Sequence, residues 1–373
     1  MRLLFISIIS SLINISAIAQ DARGTMADSS DYTFTLDDFL TPNKLLKIKV
    51  DSVFNTLDQS SIIAQLIMPA TGRMGQPIDS INYYIKHKMV GGVLMLNGTK
   101  AQFTSMIKNF EEANTENGNL PFLYSADAEP SLVNRKITGT KIVAKANAIK
   151  TLEEVTEVAE SISNDLNDIG INYNFSPVVD LASNSTVGYR GFGSNPANVI
   201  PFSNAFIQQT QMQNIIATAK HFPGHGLVTG DTHKSLQVID GEMRELKYYP
   251  PLIEEGVLSI MIAHIAVKNN RQFDTNGFPA TTSEVIVTDL LRDSLGFNGL
   301  IVTDAMNMGG VVKIPNASVK AIAAGCDILL MPKSVNKAHK ELTAEYLINS
   351  EFREKVHIAA KRVIRIKICL GLI

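Results

Sequence analysis

Short apolar, β-branched runs alternate with longer amphipathic stretches from residue 65 to the end of this chain, and that rhythm restricts the fold more than any other feature. The runs are Gln65–Pro69, Gly92–Leu96, Phe122–Ser125, Asn172–Val179, Ile215–Ala219, Ser259–Ala263, Leu300–Thr303 and Asp327–Met331. Each reads as a strand buried on both faces. Between them, 151–168, 195–213, 243–255, 283–294 and 316–324 carry helical spacing, and 359–370 reads as a last helix. Buried strands separated by crossover helices form parallel sheets. Eight such units predict an α/β protein, a single-domain (β/α)8 TIM-type barrel over residues 36–373. The alternative is an open doubly wound sheet. It would normally place a glycine-rich fingerprint after the first strand, and Pro69-Ala70-Thr71-Gly72 is not one.

A parallel barrel puts its working residues just past the C-terminal ends of its strands. Asp127, Asp180, Lys220 with His221, His264 and Asp304 all stand at the exits of apolar runs. The densest polar stretch is Lys220-His221-Phe222-Pro223-Gly224-His225-Gly226 followed by Asp231-Thr232-His233. It holds three of the seven histidines. Pro223-Gly224 forbids a continuous helix there, so these groups sit on an irregular loop. An Asp-x-His pair on such a loop can fix an imidazole tautomer for proton transfer. His221, His225, Asp231 and His233 also raise the alternative of a metal hydrolase. The broken i, i+4 spacing argues against it, so no metal or cofactor is expected. A non-catalytic sugar-binding barrel would lack a nucleophile or an acid, and candidates for both are present.

The motifs Lys220–Gly226, Asp231-Thr232-His233, Phe175-Ser-Pro-Val-Val-Asp180, Gly188-Tyr-Arg-Gly-Phe-Gly193 and Val302-Thr-Asp-Ala-Met306 together resemble glycoside hydrolase family 3. The likeness is to its single-barrel β-N-acetylglucosaminidase (β-hexosaminidase) branch. That resemblance implies a retaining, exo-acting glycosidase on terminal β-linked N-acetylglucosamine, working through a covalent intermediate. Asp304 is the implied nucleophile, and without the resemblance an N-cap role competes with it. His233 is the implied general acid and base, with Asp231 orienting its ring. Lys220 and His221 are implied to hold sugar hydroxyls, as is Asp127. Arg190 is expected to offer its fork to a hydroxyl pair or an N-acyl oxygen. His264 is expected either to touch the sugar or to brace the site. Asp180 and His225 are expected to order the loops. Arg135 keeps the family's spacing from Asp127, but Asp127-Ala-Glu-Pro-Ser-Leu replaces the usual Asp-x-Glu-Gly-Gly-Arg. Pro130 stiffens a stretch where glycine freedom is usual, which puts the aim of Arg135 in question.

Met1-Arg2, the apolar run to Ile18 and Ala17-Ile18-Ala19 predict a secretory signal peptide over residues 1–19, followed by a loose tail over 20–35. Export to a periplasm or beyond follows, with no stable membrane insertion after cleavage. The chain carries a net charge of −2, which gives no electrostatic footprint for nucleic acid, so the expected partner is a carbohydrate. Trp is absent, which leaves stacking to Phe, Tyr or Met. Cys326 and Cys369 lie in apolar runs and read as buried free thiols. A β-glucosidase or a phosphorylase on the same site are the alternatives in specificity.

Overall fold

The computed structural model describes residues 33–181, 183, 184 and 186–373. The signal-peptide stretch 1–19 lies outside the described residues. The compact unit is Phe34–Ile373. Phe34 is already buried, so the fold begins inside the stretch read as a tail.

Seven strands form one curled parallel sheet. In spatial order they are Ala70–Thr71, Gly92–Met95, Leu123–Ala126, Tyr173–Asn174, Ile216–Phe222, Ser259–Ile262 and Leu300–Thr303. Every neighbouring pair is parallel. Chain order and spatial order coincide, so the sheet has no point where the winding reverses, as a doubly wound fold requires. Ile67–Met68 pairs in parallel with Leu329–Leu330. All eight apolar runs thus contain strand, and the residues of the larger strands are buried on both faces.

The helices follow from capping and face. In Leu152–Ile169, Thr151 accepts the N–H of Glu154, a cap worth about 1 kcal/mol. Val155, Ala159, Ile162 and Leu166 recur on its buried face, and Gly170 ends it in the left-handed conformation at φ 94°. Pro196–Met212 starts with Asn195 as cap and Pro196 in the first turn, where a missing N–H costs nothing. The last helix is longer than its periodicity predicts, Ser350–Cys369, because Asn349 caps it at Phe352. The segment Val285–Ser294 is a π-helix. Both cysteines are buried and free. Among the described residues no helix is long and apolar enough to cross a membrane.

Candidate active site

The polar residues converge along the C-terminal edge of the sheet. One irregularity there is decisive. Lys220 stands opposite Met261 and Phe222 opposite Ile262, so His221 is an extra residue bulged out of the ladder. A bulge redirects a side chain that would otherwise follow the alternation. The buried His221 then turns its Nδ1 onto Asp180 Oδ2 at 2.6 Å. Asp180 is the hub of the edge. It accepts the N–H of His221 at 3.1 Å and that of His225 at 2.8 Å. Burial pushes its carboxyl up, but His221 and His225 outweigh that and hold it below the ordinary value. With Nδ1–H donated to a carboxylate, the free end of the His221 ring is Nε2.

A chain of alternating charges forms the next wall. Lys136 Nζ lies 2.6 Å from Asp127 Oδ2, and Lys220 Nζ lies 2.8 Å from Asp127 Oδ1. Lys220 also reaches Glu129 Oε1 at 2.6 Å. Arg190 grips Glu129 with two parallel bonds, Nε to Oε2 at 2.8 Å and Nη2 to Oε1 at 2.7 Å. Burial disfavours ionisation of Glu129, yet Arg190 and Lys220 hold its carboxyl down at about 2. Burial likewise opposes charge on Lys220, and Asp127 and Glu129 overcome it, raising the ammonium's pKa. Asp127 is held well below the carboxylate range against the effect of burial by Lys136 and Lys220. Asp127, Glu129 and Lys220 are therefore ionised throughout neutral pH.

Asp304 follows Leu300–Thr303, and its N–H is bonded to Ile262 O at 2.9 Å. Its Oδ1 accepts the N–H of Ala305 at 2.7 Å. Burial raises its pKa, but His221, His264, the Ala305 N–H and His233 together bring it below 3.8. Asp304 is thus an anion at working pH, as a nucleophile must be. His264 is fully buried, and both of its ring nitrogens are engaged. Nε2 is 3.0 Å from Ala305 O and Nδ1 2.7 Å from Thr281 Oγ1. A carbonyl only accepts, so Nε2 carries the proton, while Nδ1 meets the Thr281 hydroxyl, which also lies 3.0 Å from Ala263 O. Burial lowers the His264 pKa and keeps the ring neutral. His264 therefore braces the segment after Asp304 and has no ring nitrogen left for a sugar.

His233 stands on the loop beyond. Its Nδ1 lies 2.7 Å from Asp231 Oδ1, which also accepts the His233 backbone N–H at 2.9 Å. The side chain is 60% exposed, so Nε2 is open to transfer a proton. The loop is anchored at two places. Gly309 and Gly310 donate backbone N–H to His233 O at 2.9 Å and Thr232 O at 3.1 Å. A side chain at Gly309 would collide with Lys234 O, so only glycine permits that approach. Asn184 Nδ2 donates to Val228 O at 2.6 Å and Gly230 O at 3.1 Å. His225 Nε2 lies 3.0 Å from Thr232 Oγ1, which supports its loop-shaping role.

One expected residue is displaced. Arg135 is exposed on the single turn Val133–Lys136, and its neighbour Lys136 takes the contact with Asp127. Adjacent residues on a helix point about 100° apart, so only one of the two can face Asp127. Arg190 is in place, but its fork faces Glu129, not the open cleft. Three residues carry weight that the sequence reading did not give them. Glu129 and Lys136 complete the charged wall. Glu245 accepts the N–H of Leu181 at 2.7 Å and of Leu227 at 3.1 Å, and so pins two loops together. Burial and the nearby Asp180 push its carboxyl up to about 7, although these N–H groups and that of Gly226 pull the other way. The signal for Glu129 was its place two residues after Asp127. Nothing local marks Glu245.

Comparison with known proteins assigns the chain to a family. Residues 57–366 match the family description "Glycosyl hydrolase family 3 N terminal domain". A β-N-acetylglucosaminidase/β-glucosidase of Cellulomonas fimi is 28% identical over 311 residues, covering 78% of this chain and 54% of that protein. A β-hexosaminidase of Actinobacillus pleuropneumoniae serotype 5b (strain L20) is 31% identical over 268 residues, covering 66% of this chain and 75% of the relative. The solved family 3 β-N-acetylglucosaminidase of Paenibacillus sp. str. FPU-7 superimposes with a TM-score of 0.78 at 27% identity, covering 85% of this chain and 63% of that one. The chain thus spans about half the length of the Cellulomonas relative and under two thirds of the Paenibacillus structure. With a match that runs through nearly the whole described fold, this chain belongs to glycoside hydrolase family 3, through the family's N-terminal domain.

Proposed function

We propose that this protein is a retaining exo-glycosidase that releases terminal β-linked N-acetylglucosamine from oligosaccharides or peptidoglycan fragments. The observation that carries this reading is the pairing of an ionised, buried Asp304 with an Asp231–His233 dyad whose loop is hydrogen-bonded to Gly309 and Gly310, just beyond that aspartate. Asp304 attacks the anomeric carbon while His233 Nε2–H protonates the leaving oxygen. The bond to the leaving group breaks as the glycosyl–Asp304 ester forms. His233, now neutral, takes a proton from water, which hydrolyses the ester with net retention. Asp231 holds the ring through Nδ1 and stabilises the imidazolium. Asp127, Lys220 and His221 Nε2 are the groups for the sugar hydroxyls. The relatives' names support the N-acetyl sugar.

Asp304→Ala should lower kcat by at least ~10³-fold on a chromogenic β-N-acetylglucosaminide, judged by the usual cost of losing a covalent nucleophile. Normal turnover by that variant, or an α-configured product by NMR, sinks the scheme. The matching β-glucoside, assayed with and without phosphate, separates the alternatives. The Cellulomonas relative's double name favours keeping the glucoside arm. Release that depends on phosphate would make the protein a phosphorylase.

We also infer that the curled sheet closes into a (β/α)8 barrel. The pair Ile67–Met68 with Leu329–Leu330, the Val302–Ile328 bridge and the bond from Leu94 N to Pro69 O at 2.8 Å support closure. Export to a periplasm or beyond belongs to the same proposal and rests on residues 1–19. A mature N-terminus that still carries Met1 would overturn it.

A further inference from the structure

The Asp231–His233 dyad is bonded to itself. Asp231 Oδ1 takes both the ring Nδ1 of His233 at 2.7 Å and its backbone N–H at 2.9 Å, and among the described residues neither side chain is hydrogen-bonded to any other part of the protein. Both are open to solvent, 30% exposed at Asp231 and 60% at His233. Thr232 between them is 1% exposed and reaches out of the tripeptide twice. Its Oγ1 meets His225 Nε2 at 3.0 Å, and its carbonyl takes the N–H of Gly310 at 3.1 Å. His225 is itself held by Asp180, whose Oδ1 accepts its N–H at 2.8 Å while Oδ2 holds His221. Gly310 lies in the segment that follows Asp304. A Cβ there would come within 2.9 Å of His264 Cβ, so glycine is what permits this approach of backbone to backbone. Thr232 therefore bridges the loop after Ile216–Phe222 and the segment after Leu300–Thr303.

On the glycosidase reading above, we infer that Thr232 is a positioning residue whose hydroxyl, seated on His225, sets where the His233 imidazole stands relative to Asp304. The bond to Asp231 decides how the ring is turned. Its distance from the reacting bond is decided by what anchors the backbone, which is Thr232 together with the seat at Gly309 and Gly310. Among the described residues, the Thr232 hydroxyl makes the one side-chain hydrogen bond that ties residues 231–233 to another element, and it is buried, so water does not compete for it. A hydroxyl both donates and accepts, so it complements His225 Nε2 in either tautomer, and a methyl group in its place does neither. Misplacing a catalytic group by about 1 Å can cost on the order of 10²-fold in rate.

Two aryl β-N-acetylglucosaminides that differ in their need for an acid separate this role from a structural one. A phenyl aglycone must be protonated as it leaves, whereas a dinitrophenyl aglycone departs as a stable anion. Thr232→Val in the full chain keeps the branched shape and removes the hydroxyl. It should lower kcat/KM about 10- to 100-fold more on the phenyl glycoside than on the dinitrophenyl one. Thr232→Ser should restore most of that difference. His225→Phe should show the same split, and the two changes together should cost no more than either alone. It also carries the test should Thr232→Val fail to fold. Equal losses on the two aglycones would mean that Thr232 serves only the fold, which overturns the inference and leaves the glycosidase reading standing. So would a Thr232→Ser variant that behaves like Thr232→Val. A wild type that cleaves neither glycoside overturns both.

Discussion

Two buried lysines, one at each end of the sheet, differ in what surrounds them. Lys220, at the C-terminal edge, is 1% exposed and touches two carboxylates. Lys367, on the last helix, is 0% exposed and touches only neutral acceptors, Gln65 Oε1 at 2.7 Å and Gly91 O at 2.9 Å. Burial disfavours the charge on both. At Lys220 the carboxylates reverse that and raise the pKa. At Lys367 burial prevails over the opposing charge of Glu111 and lowers it to about 7. Hydrogen bonds alone satisfy geometry at one end, while opposite charges preserve a permanent cation at the other. Ion pairs thus fix a permanent cation at the C-terminal edge, and the opposite end does without one.

The sharpest way to break this comparison is Lys220→Met. It removes one of the two cations that each of Asp127 and Glu129 contacts in a buried site, so stability should fall by about 3 kcal/mol and kcat/KM by several orders of magnitude. Chemical denaturation and steady-state assays check both. A mild loss would mean that water replaces the ammonium. Lys367→Met should leave kcat/KM within about twofold, because it lies outside the site. Its stability should instead respond to pH. Wild-type Lys367 binds its proton more weakly folded than unfolded, so the folded state gains stability as pH climbs from about 7 towards 10.5. The variant should lack that gain, on the order of 4 kcal/mol. Parallel slopes for the two proteins would show that Lys367 is hydrated.

Glu245 sharpens the contrast from the acidic side. Its carboxyl binds a proton more tightly folded than unfolded, with a pKa near about 7 against an ordinary 4.5. Its contribution to stability is full below about 4.5 and is lost as pH rises to about 7. Glu245→Gln should flatten that decline, on the order of 3 kcal/mol at most, in thermal melts across the range. A larger effect on kcat/KM than on melting would mark Glu245 as a positioning residue of the loops at Leu181 and Leu227.

Strand positions were legible because runs such as Ile216–Ala219 and Leu300–Thr303 are apolar on both faces, a pattern that local sequence carries whole. The exits of those runs gave Asp127, Lys220, His221 and Asp304 for the same reason. What was not legible depends on distance or on one dihedral. Glu129 lies in plain view, but its role requires Arg190 and Lys220 to arrive from other strands. Arg135 and Lys136 differ by one step around a single turn, which no spacing rule resolves. His264 stood between two roles until Thr281 and the Ala305 carbonyl occupied both of its nitrogens.

The bonds from Gly309 and Gly310 to the carbonyls of His233 and Thr232 have a consequence for transplanting function. The Asp231–His233 loop is not a portable part. Its seat is a stretch of backbone some seventy-five residues further along the chain, shaped by two residues without side chains. Any exchange of this loop between relatives must carry that seat with it. A chimera that moves only residues 223–236 inherits the imidazole without the surface that holds it.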